Sequence, residues 1–240
     1  YLMQSSYNPA IKADAIYVEP LSVTNIKRHI ADARVIPVTQ FKPCLGIIYR
    51  LQDPRIYDAI GIAWYAKYLE YTGYVFPLHE ILPDFNHRFA SIASMRYIWI
   101  PIEVHSKNAV HYKKVFSDNS SALYENPDAL PRAYIASSWQ PVANNREAFE
   151  TLNAIDFPWQ KKVAIEIPKN AENILTVLKE PDKFLPAEIV SYNAHEIVIE
   201  LPLGSRGLLV LNDSFYPGWE ASVDGKQTPV YRVNGTFRGV

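Results

Sequence analysis

Helical and extended hydrophobic patterns alternate in the first half of the chain. In Ser22–Ala33 the apolar residues recur on one helical face, which predicts an amphipathic helix. The β-branched runs Arg34–Val38 and Cys44–Tyr49 predict two buried strands. These patterns indicate that helices and strands pack together in this half.

The next segment has start and stop signals for a helix. Asp53 can cap it, Pro54 suits its first position, and Gly73 can end it. A second helix is predicted over Asn86–Ser94, and it leads into a strand at Arg96–Ile102. We therefore expect an α/β layer, with helices packed on a sheet.

Later in the chain, extended patterns dominate. Lys113–Phe116 and Ala122–Glu125 flank a polar turn and predict a hairpin. A short helix at Asn145–Asn153 has the spacing of a capping box at Asn144 and Glu147. The strands predicted beyond it are Lys162–Ile167, Glu188–Tyr192, Glu196–Leu201, Leu208–Asn212, Trp219–Val223 and Val230–Val233, with a tight turn at Asp224-Gly225.

Together these elements predict an α+β fold with two subdomains. Residues 1–136 form an α/β subdomain that ends in a β-hairpin. Residues 137–240 form an all-β sandwich or jelly-roll-like subdomain, because several short strands follow one another at close spacing.

Composition and net charge limit the classes of partner and of site that we expect for this chain. There are 24 Lys and Arg against 25 Asp and Glu, and no basic stripe, so we expect no nucleic-acid partner. A single cysteine, Cys44, excludes an intramolecular disulfide and a Cys-based zinc site but leaves the compartment open. The longest apolar run, Ala59–Ala66, is too short to cross a bilayer. The chain starts at Tyr1 without an initiator Met, which indicates a piece of a longer protein.

The sequence contains few patterns that are typical of catalysis. It has no Gly-rich phosphate loop, no GxSxG motif and no arrangement that predicts a triad. The segment from His79 to His87 combines two histidines with two carboxylates, and we interpret it as a solvated loop rather than a metal site. We therefore predict no catalytic residue, metal or cofactor for this chain.

Four residues are candidates for binding. Arg55 lies near the predicted helix start and can either contact an anion or pair with Asp53, and we favour the pair. The aromatic residues Trp139, Tyr216 and Trp219 can either stack on sugar rings or fill the core, and we favour the core.

The segment Leu208–Lys226 resembles the C-terminal extracytoplasmic region of YfhO-like bacterial membrane proteins. It has an apolar strand, then a Tyr216-Pro217-Gly218-Trp219 turn, then a Val223-Asp224-Gly225-Lys226 hairpin. Three upstream segments are similar to further signatures of that family and follow in the same order: Asp53–Ala59, Met95–Ile98 and Tyr124–Tyr134. The resemblance covers the chain from about Asp53 to its end.

This resemblance implies a parent with many transmembrane helices and a glycosyltransferase-like architecture, whose catalytic acidic residues lie in its membrane part. The implied location is the extracytoplasmic face of the bacterial cytoplasmic membrane. The implied partners are the membrane part of the same chain and an envelope glycan or lipid-linked sugar. Family members continue beyond the position of Val240, so we expect the β subdomain to lack its last strand and to have an unpaired edge.

Three functions remain open on these grounds. We favour a non-catalytic extracytoplasmic domain of a multi-span membrane protein. The alternatives are an autonomous carbohydrate-binding module and an independent hydrolase. Solvent exposure of the aromatic residues separates the first two, and a cleft with convergent carboxylates would support the third.

Overall fold

The computed structural model describes residues 19–38, 43–55, 62–75, 80–81, 86–103, 112–167 and 184–240, and it confirms an α+β fold rich in β-sheet. Its helices are α1 (Leu21–Ile30), α2 (Pro43–Ile48), α3 (Ala63–Thr72), α4 (His87–Ile92) and α5 (Asn145–Asn153). Its strands are β1 (Arg34–Pro37), β2 (Tyr74–Val75), β3 (Glu80–Ile81), β4 (Met95–Pro101), β5 (Lys113–Ser117), β6 (Ser121–Glu125), β7 (Ala133–Ala136), β8 (Trp139–Val142), β9 (Val163–Glu166), β10 (Leu185–Pro186), β11 (Glu188–Tyr192), β12 (Ile197–Glu200), β13 (Leu208–Ser214), β14 (Ala221–Val223), β15 (Lys226–Thr228), β16 (Tyr231–Val233) and β17 (Phe237–Gly239). None of the helices in these ranges has the length and apolarity needed to cross a membrane.

The first half forms a four-stranded sheet in the order β1-β4-β6-β5. Strand β1 runs parallel to β4, and the other neighbours are antiparallel. The apolar face of α1, made by Val23, Ile26 and Ile30, packs in a small core with Val35 and Leu123 of this sheet. The amphipathic helix and the hairpin predicted for this half are both confirmed.

The second half forms a curled seven-stranded sheet in the order β10-β7-β13-β17-β16-β9-β8. Strands β8 and β9 are parallel, and the remaining pairs are antiparallel. The boundary expected after residue 136 passes between β7 and β8, two strands of this same sheet. The final strand, β17, is hydrogen-bonded to β13 on one side and to β16 on the other, so the unpaired edge expected at this end is absent from the described sheet.

One core joins the two halves. Tyr68 of α3 is fully buried, and its ring lies 5.4 Å from that of Phe89, 6.1 Å from that of Phe149 and 4.9 Å from that of Phe237. Its hydroxyl donates to the Phe89 carbonyl at 2.7 Å, which satisfies the polar atom of a buried ring. Side chains from α3, α4, α5 and β17 thus meet at a single aromatic centre.

Two of the predicted helices and strands are wrong. The strand expected at Cys44–Tyr49 is helix α2, which begins at Pro43, a residue well suited to a helix start. Ile47 and Ile48 in this segment are exposed, so no sheet face holds them. Helix α3 begins at Ala63 rather than beside Asp53, which is not helical; residues 56–61 lie outside the described part. The predicted stop is correct, because Gly73 ends α3 with φ +95°.

Turn residues behave as their chemistry predicts. Asn144 caps α5 by accepting the Glu147 backbone N–H at 3.0 Å, and the Glu147 carboxylate accepts the Ala143 N–H at 2.8 Å. Asp224 and Gly225 both have positive φ, +50° and +77°, as a tight hairpin turn between β14 and β15 requires.

We predict that Gly235→Ala lowers the free energy of unfolding by about 2–4 kcal/mol. Gly235 has φ +74°, and a Cβ there would lie 2.3 Å from Cε1 of Phe149, a ring of the shared core. Gly225→Ala is the matched control, because Gly225 has φ +77° but no atom within 4 Å of an added Cβ. Its expected cost is about 1 kcal/mol from backbone strain alone. Urea unfolding measures both, and equal losses would contradict tight packing of Phe149 on Gly235.

Candidate functional site

The turn with the family-like motif is exposed at the surface. Tyr216, Pro217, Gly218 and Trp219 connect β13 to β14, and Gly218 adopts φ +104°, a conformation that favours glycine. The side chain of Tyr216 is 56% exposed, and Trp219 is partly exposed. Tyr216 is therefore not a core residue, contrary to the prediction, whereas Trp219 is partly buried against Arg238 of β17 without belonging to either hydrophobic core of the described residues.

Trp219 lines an open cleft of about 400 Å³. The other lining residues come from the residue before β14, from β14 and β15, and from the segment after β15: Glu220, Ala221, Gln227, Thr228, Pro229 and Val230. The carboxylate, amide and hydroxyl groups of this set supply hydrogen-bond donors and acceptors beside the aromatic ring. An aromatic surface with a few polar groups is a usual composition for a ligand cleft.

Next to this cleft, three arginines surround one aspartate, a group that we call the arginine cluster. Asp213, near the end of β13, is 6% exposed. Its carboxylate lies 2.6 Å from a guanidinium nitrogen of Arg34, 3.1 Å from one of Arg132 and 3.4 Å from one of Arg238. The arginines come from β1, the segment before β7, and β17, so the sheets and their connections bring together residues that are distant in the sequence.

Arg34 connects the two halves of the fold through the arginine cluster. Besides its ion pair with Asp213, it donates to the Asn212 carbonyl at 2.6 Å and to the Ala93 carbonyl at 2.7 Å. Asn212 also donates from Nδ2 to the Ser94 hydroxyl at 2.8 Å. The start of β1, the turn before β4 and the end of β13 are therefore bonded to one another.

Two aromatic rings cover the arginine cluster. The Arg238 guanidinium carbon lies 4.1 Å from the ring centre of Trp219, and that of Arg132 lies 4.3 Å from the ring centre of Tyr192. Both distances are within the range of cation–π attraction. Trp219 thus belongs both to the cleft and to the cover of the arginine cluster.

The pKa of Arg238 responds to burial and to the neighbouring charges of the arginine cluster. Burial lowers the pKa of Arg238, and the nearby Arg132 and Arg34 lower it further, while Asp213 acts in the opposite direction. A guanidinium remains charged despite such a shift. One carboxylate thus faces three cations.

Arg55 is placed differently from the other candidates. Its side chain is fully buried and pairs with Asp53, with Nη2 at 2.7 Å and Nε at 3.0 Å from the carboxylate oxygens. Burial raises the pKa of Asp53, and the bonds from Arg55 oppose that shift. The favoured Arg–Asp pair is confirmed. The Arg55 guanidinium does not reach the surface, so it is not placed to bind an anion from solvent.

Trp139 is also a core residue. It is 6% exposed, lies at the start of β8 and packs in the large hydrophobic core. The core interpretation is correct for this residue. Because its ring is covered, it cannot stack on a sugar, and the candidate surface consists of Tyr216 and Trp219 alone.

A second cleft, of about 290 Å³, lies beside Trp159. Near it, His87 has both ring nitrogens in hydrogen-bond range, with the Tyr112 hydroxyl at 2.9 Å and an Asp128 carboxylate oxygen at 3.0 Å. His87 is the first residue of α4 and half-buried, which corrects the solvated-loop interpretation at this position; His79 lies outside the described residues. Across the described ranges, no group of His, Cys, Asp and Glu side chains could hold a metal ion.

Sequence reasoning missed the arginine cluster. A signal was present, because Asp213 lies near the end of an apolar strand and Arg238 lies between Phe237 and Gly239. Charged residues are rare in strand interiors unless they are paired. The pattern does not indicate which distant residue supplies each partner. Only the folded sheet order shows that Arg34 and Arg132 reach the same carboxylate.

Comparison with known proteins leaves the family open. The chain matches no family model, no curated protein and no solved structure. The similarity to YfhO-like proteins therefore rests on the sequence motifs alone.

Proposed function

We propose that this chain is a non-catalytic extracytoplasmic domain of a bacterial multi-span, glycosyltransferase-like membrane protein, and that it holds a glycan in the cleft beside Trp219. The observation that carries the proposal is the exposed turn at Tyr216–Trp219, which is also the most specific part of the family resemblance. Aromatic side chains in contact with solvent beside a shallow, open cleft are compatible with a binding surface.

The chemistry of the cleft suits a sugar. The Trp219 ring offers an apolar surface, and Gln227 and Thr228 offer an amide and a hydroxyl that can bond sugar hydroxyls. Because the cleft is open, one or two sugar units of a longer glycan can lie in it while the rest of the glycan extends into solvent. This arrangement favours holding a polymer over enclosing a small metabolite.

The same cleft does not favour catalysis. Hydrolysis of a glycosidic bond ordinarily requires two carboxyl groups that flank the bond. Among the described residues that line the cleft, Glu220 is the only acid. We therefore propose that any transfer chemistry takes place in another part of the parent protein.

An autonomous carbohydrate-binding module is the second candidate, and it is the one that the exposure of Tyr216 favours by the criterion set from the sequence. Because the first candidate is now proposed to hold a glycan at the same turn, exposure no longer separates the two. The two differ in what precedes Tyr1. The first requires hydrophobic segments of roughly 18–20 residues encoded upstream in the same reading frame. An upstream coding sequence without such segments would contradict the membrane parent and favour the autonomous module.

Trp219→Ala is predicted to weaken binding of cell-envelope oligosaccharides by about tenfold or more, because the ring supplies the stacking surface. Isothermal titration measures the affinity, and circular dichroism checks that the variant is folded. Trp159→Ala is the control, since Trp159 lines the other cleft. If both variants bind as the unmodified protein does, the cleft beside Trp219 is not the glycan site.

A further inference from the structure

The arginine cluster has a surplus of positive charge. Arg34, Arg132 and Arg238 contribute three cations, and Asp213 contributes the one carboxylate that pairs with them. The remaining group that acts on Arg238 is the Tyr192 hydroxyl; burial raises the pKa of Tyr192, so it stays neutral, and no second carboxylate acts on Arg238 among the described residues. The local balance is therefore two positive charges in excess.

The three side chains that carry this surplus positive charge are largely buried from solvent. The side chains of Arg34, Arg132 and Arg238 are 12%, 22% and 9% exposed. Cations of this kind lose much of their hydration, and in a low-dielectric setting their mutual repulsion is weakly screened. An anion from outside would offset both costs.

Arg238 is the least satisfied member of the arginine cluster. Each guanidinium has five N–H donors, yet the ion pair of Arg238 with Asp213 is long, at 3.4 Å. Its Nε atom is buried and has no hydrogen-bond partner in the described structure. A buried donor without an acceptor is costly, and it is satisfied in most structures by protein, water or ligand.

Trp219 belongs both to the cleft and to the cover of the arginine cluster. The Trp219 ring lies over the Arg238 guanidinium at 4.1 Å and also lines the cleft. A sugar in contact with this ring would therefore lie close to Arg238, with one aromatic residue between them. Neither arginine lines the cleft in the described structure, so direct contact between a substituent of that sugar and Arg238 requires the Trp219 ring to move off the guanidinium.

From this geometry we infer that the cleft beside Trp219 selects an anionic glycan, whose phosphate or carboxylate group is held by Arg238 and Arg132. The inference rests on the proposed glycan binding and adds the chemical class of the ligand. Trp219 provides the surface for the ring, and the arginines provide charge and directed N–H donors.

The test compares a neutral trisaccharide with the same trisaccharide carrying one phosphate ester or one carboxylate, at constant ionic strength. We expect the charged forms to bind at least tenfold more tightly, and the difference between the phosphate and carboxylate arms shows which group is preferred. Arg238→Gln and Arg132→Gln should each lower the affinity for the charged forms more than the affinity for the neutral trisaccharide, so that the advantage of the charged forms is reduced. Arg146→Gln, at an exposed arginine that pairs with Glu150, should retain it.

A separate titration with inorganic phosphate, followed through the arginine side-chain NMR signals, makes the outcome independent of glycan binding. Saturable shifts of the Arg238 Nε–H signal support the anion site even if neither trisaccharide binds, a result that would overturn the proposed function alone. Equal affinity for neutral and charged trisaccharides would overturn the inference and leave the proposed function intact. Should Arg238→Gln fail to fold, Arg132→Gln and the phosphate titration of the unmodified protein decide the question.

Discussion

Asp213→Asn is expected to lower the free energy of unfolding by about 3–5 kcal/mol, because it leaves three shielded arginines without a counter-charge. The side chain is nearly isosteric, so the loss measures charge rather than packing. Asp213 also joins β13 to the residue that starts β1 through Arg34, and the substitution therefore weakens the connection between the two halves of the fold. Urea unfolding followed by circular dichroism gives the difference.

Two control variants separate the effect of losing the Asp213 charge from a general loss of stability. Glu150→Gln removes the acid of an exposed pair, in which both side chains are more than half exposed, and should change stability by less than about 1 kcal/mol. The double variant Asp213→Asn with Arg132→Gln removes one cation as well and should recover part of the loss. If the double variant is less stable than Asp213→Asn, repulsion among the arginines is not what destabilises the protein.

Arg55→Met is expected to cost a similar amount, about 3–5 kcal/mol near neutral pH, because it leaves Asp53 buried without its partner. The side chains of this pair are 0% and 4% exposed. The carboxylate also packs against α2, where a Cβ added to Gly46 would lie 2.8 Å from the Cβ of Asp53. Because both side chains are buried, solvent water has little access to the Asp53 carboxylate once the Arg55 guanidinium is removed.

The pH dependence of this loss identifies its cause. Burial already raises the pKa of Asp53, and removing Arg55 removes the bonds that oppose the shift. The folded variant then favours the protonated acid, so its stability is greatest below the ordinary Asp pKa of about 4 and falls as the pH rises. The deficit should thus be smaller at about pH 4 than at about pH 7. Arg96→Met, at a surface pair with Glu125, should show a small deficit without this trend. A loss in Arg55→Met that is independent of pH would indicate lost packing instead.

The elements that local chemistry determines were predictable. Helix α5 has its cap at Asn144, and the β14–β15 hairpin has its turn at Asp224 and Gly225, because each signal acts within a few residues. Helix α2 was not predictable in this way. A short apolar segment such as Cys44–Tyr49 suits a helix or a strand equally, and only the surrounding fold decides between them.

The candidate site was predictable only in part. The turn residues that end at Trp219 predicted a sharp turn at this place. The sequence alone, however, favoured a core position for the Trp219 side chain. Its partial exposure depends on how the β14–β15 hairpin leaves the sheet, which is a long-range feature. The arginine cluster depends on long-range strand order, since Arg34 and Asp213 are 179 positions apart. No local pattern contains that information.

The most direct test of the account follows the indole N–H signals of the five tryptophans by NMR while a cell-envelope oligosaccharide is added. Glycan binding at the exposed turn predicts a saturable shift of the Trp219 signal. The signal of Trp139, which is buried in the core, and that of Trp159, which lines the other cleft, should stay in place. Shifts confined to Trp159, or no saturable shift at any tryptophan, would contradict glycan binding at the exposed turn.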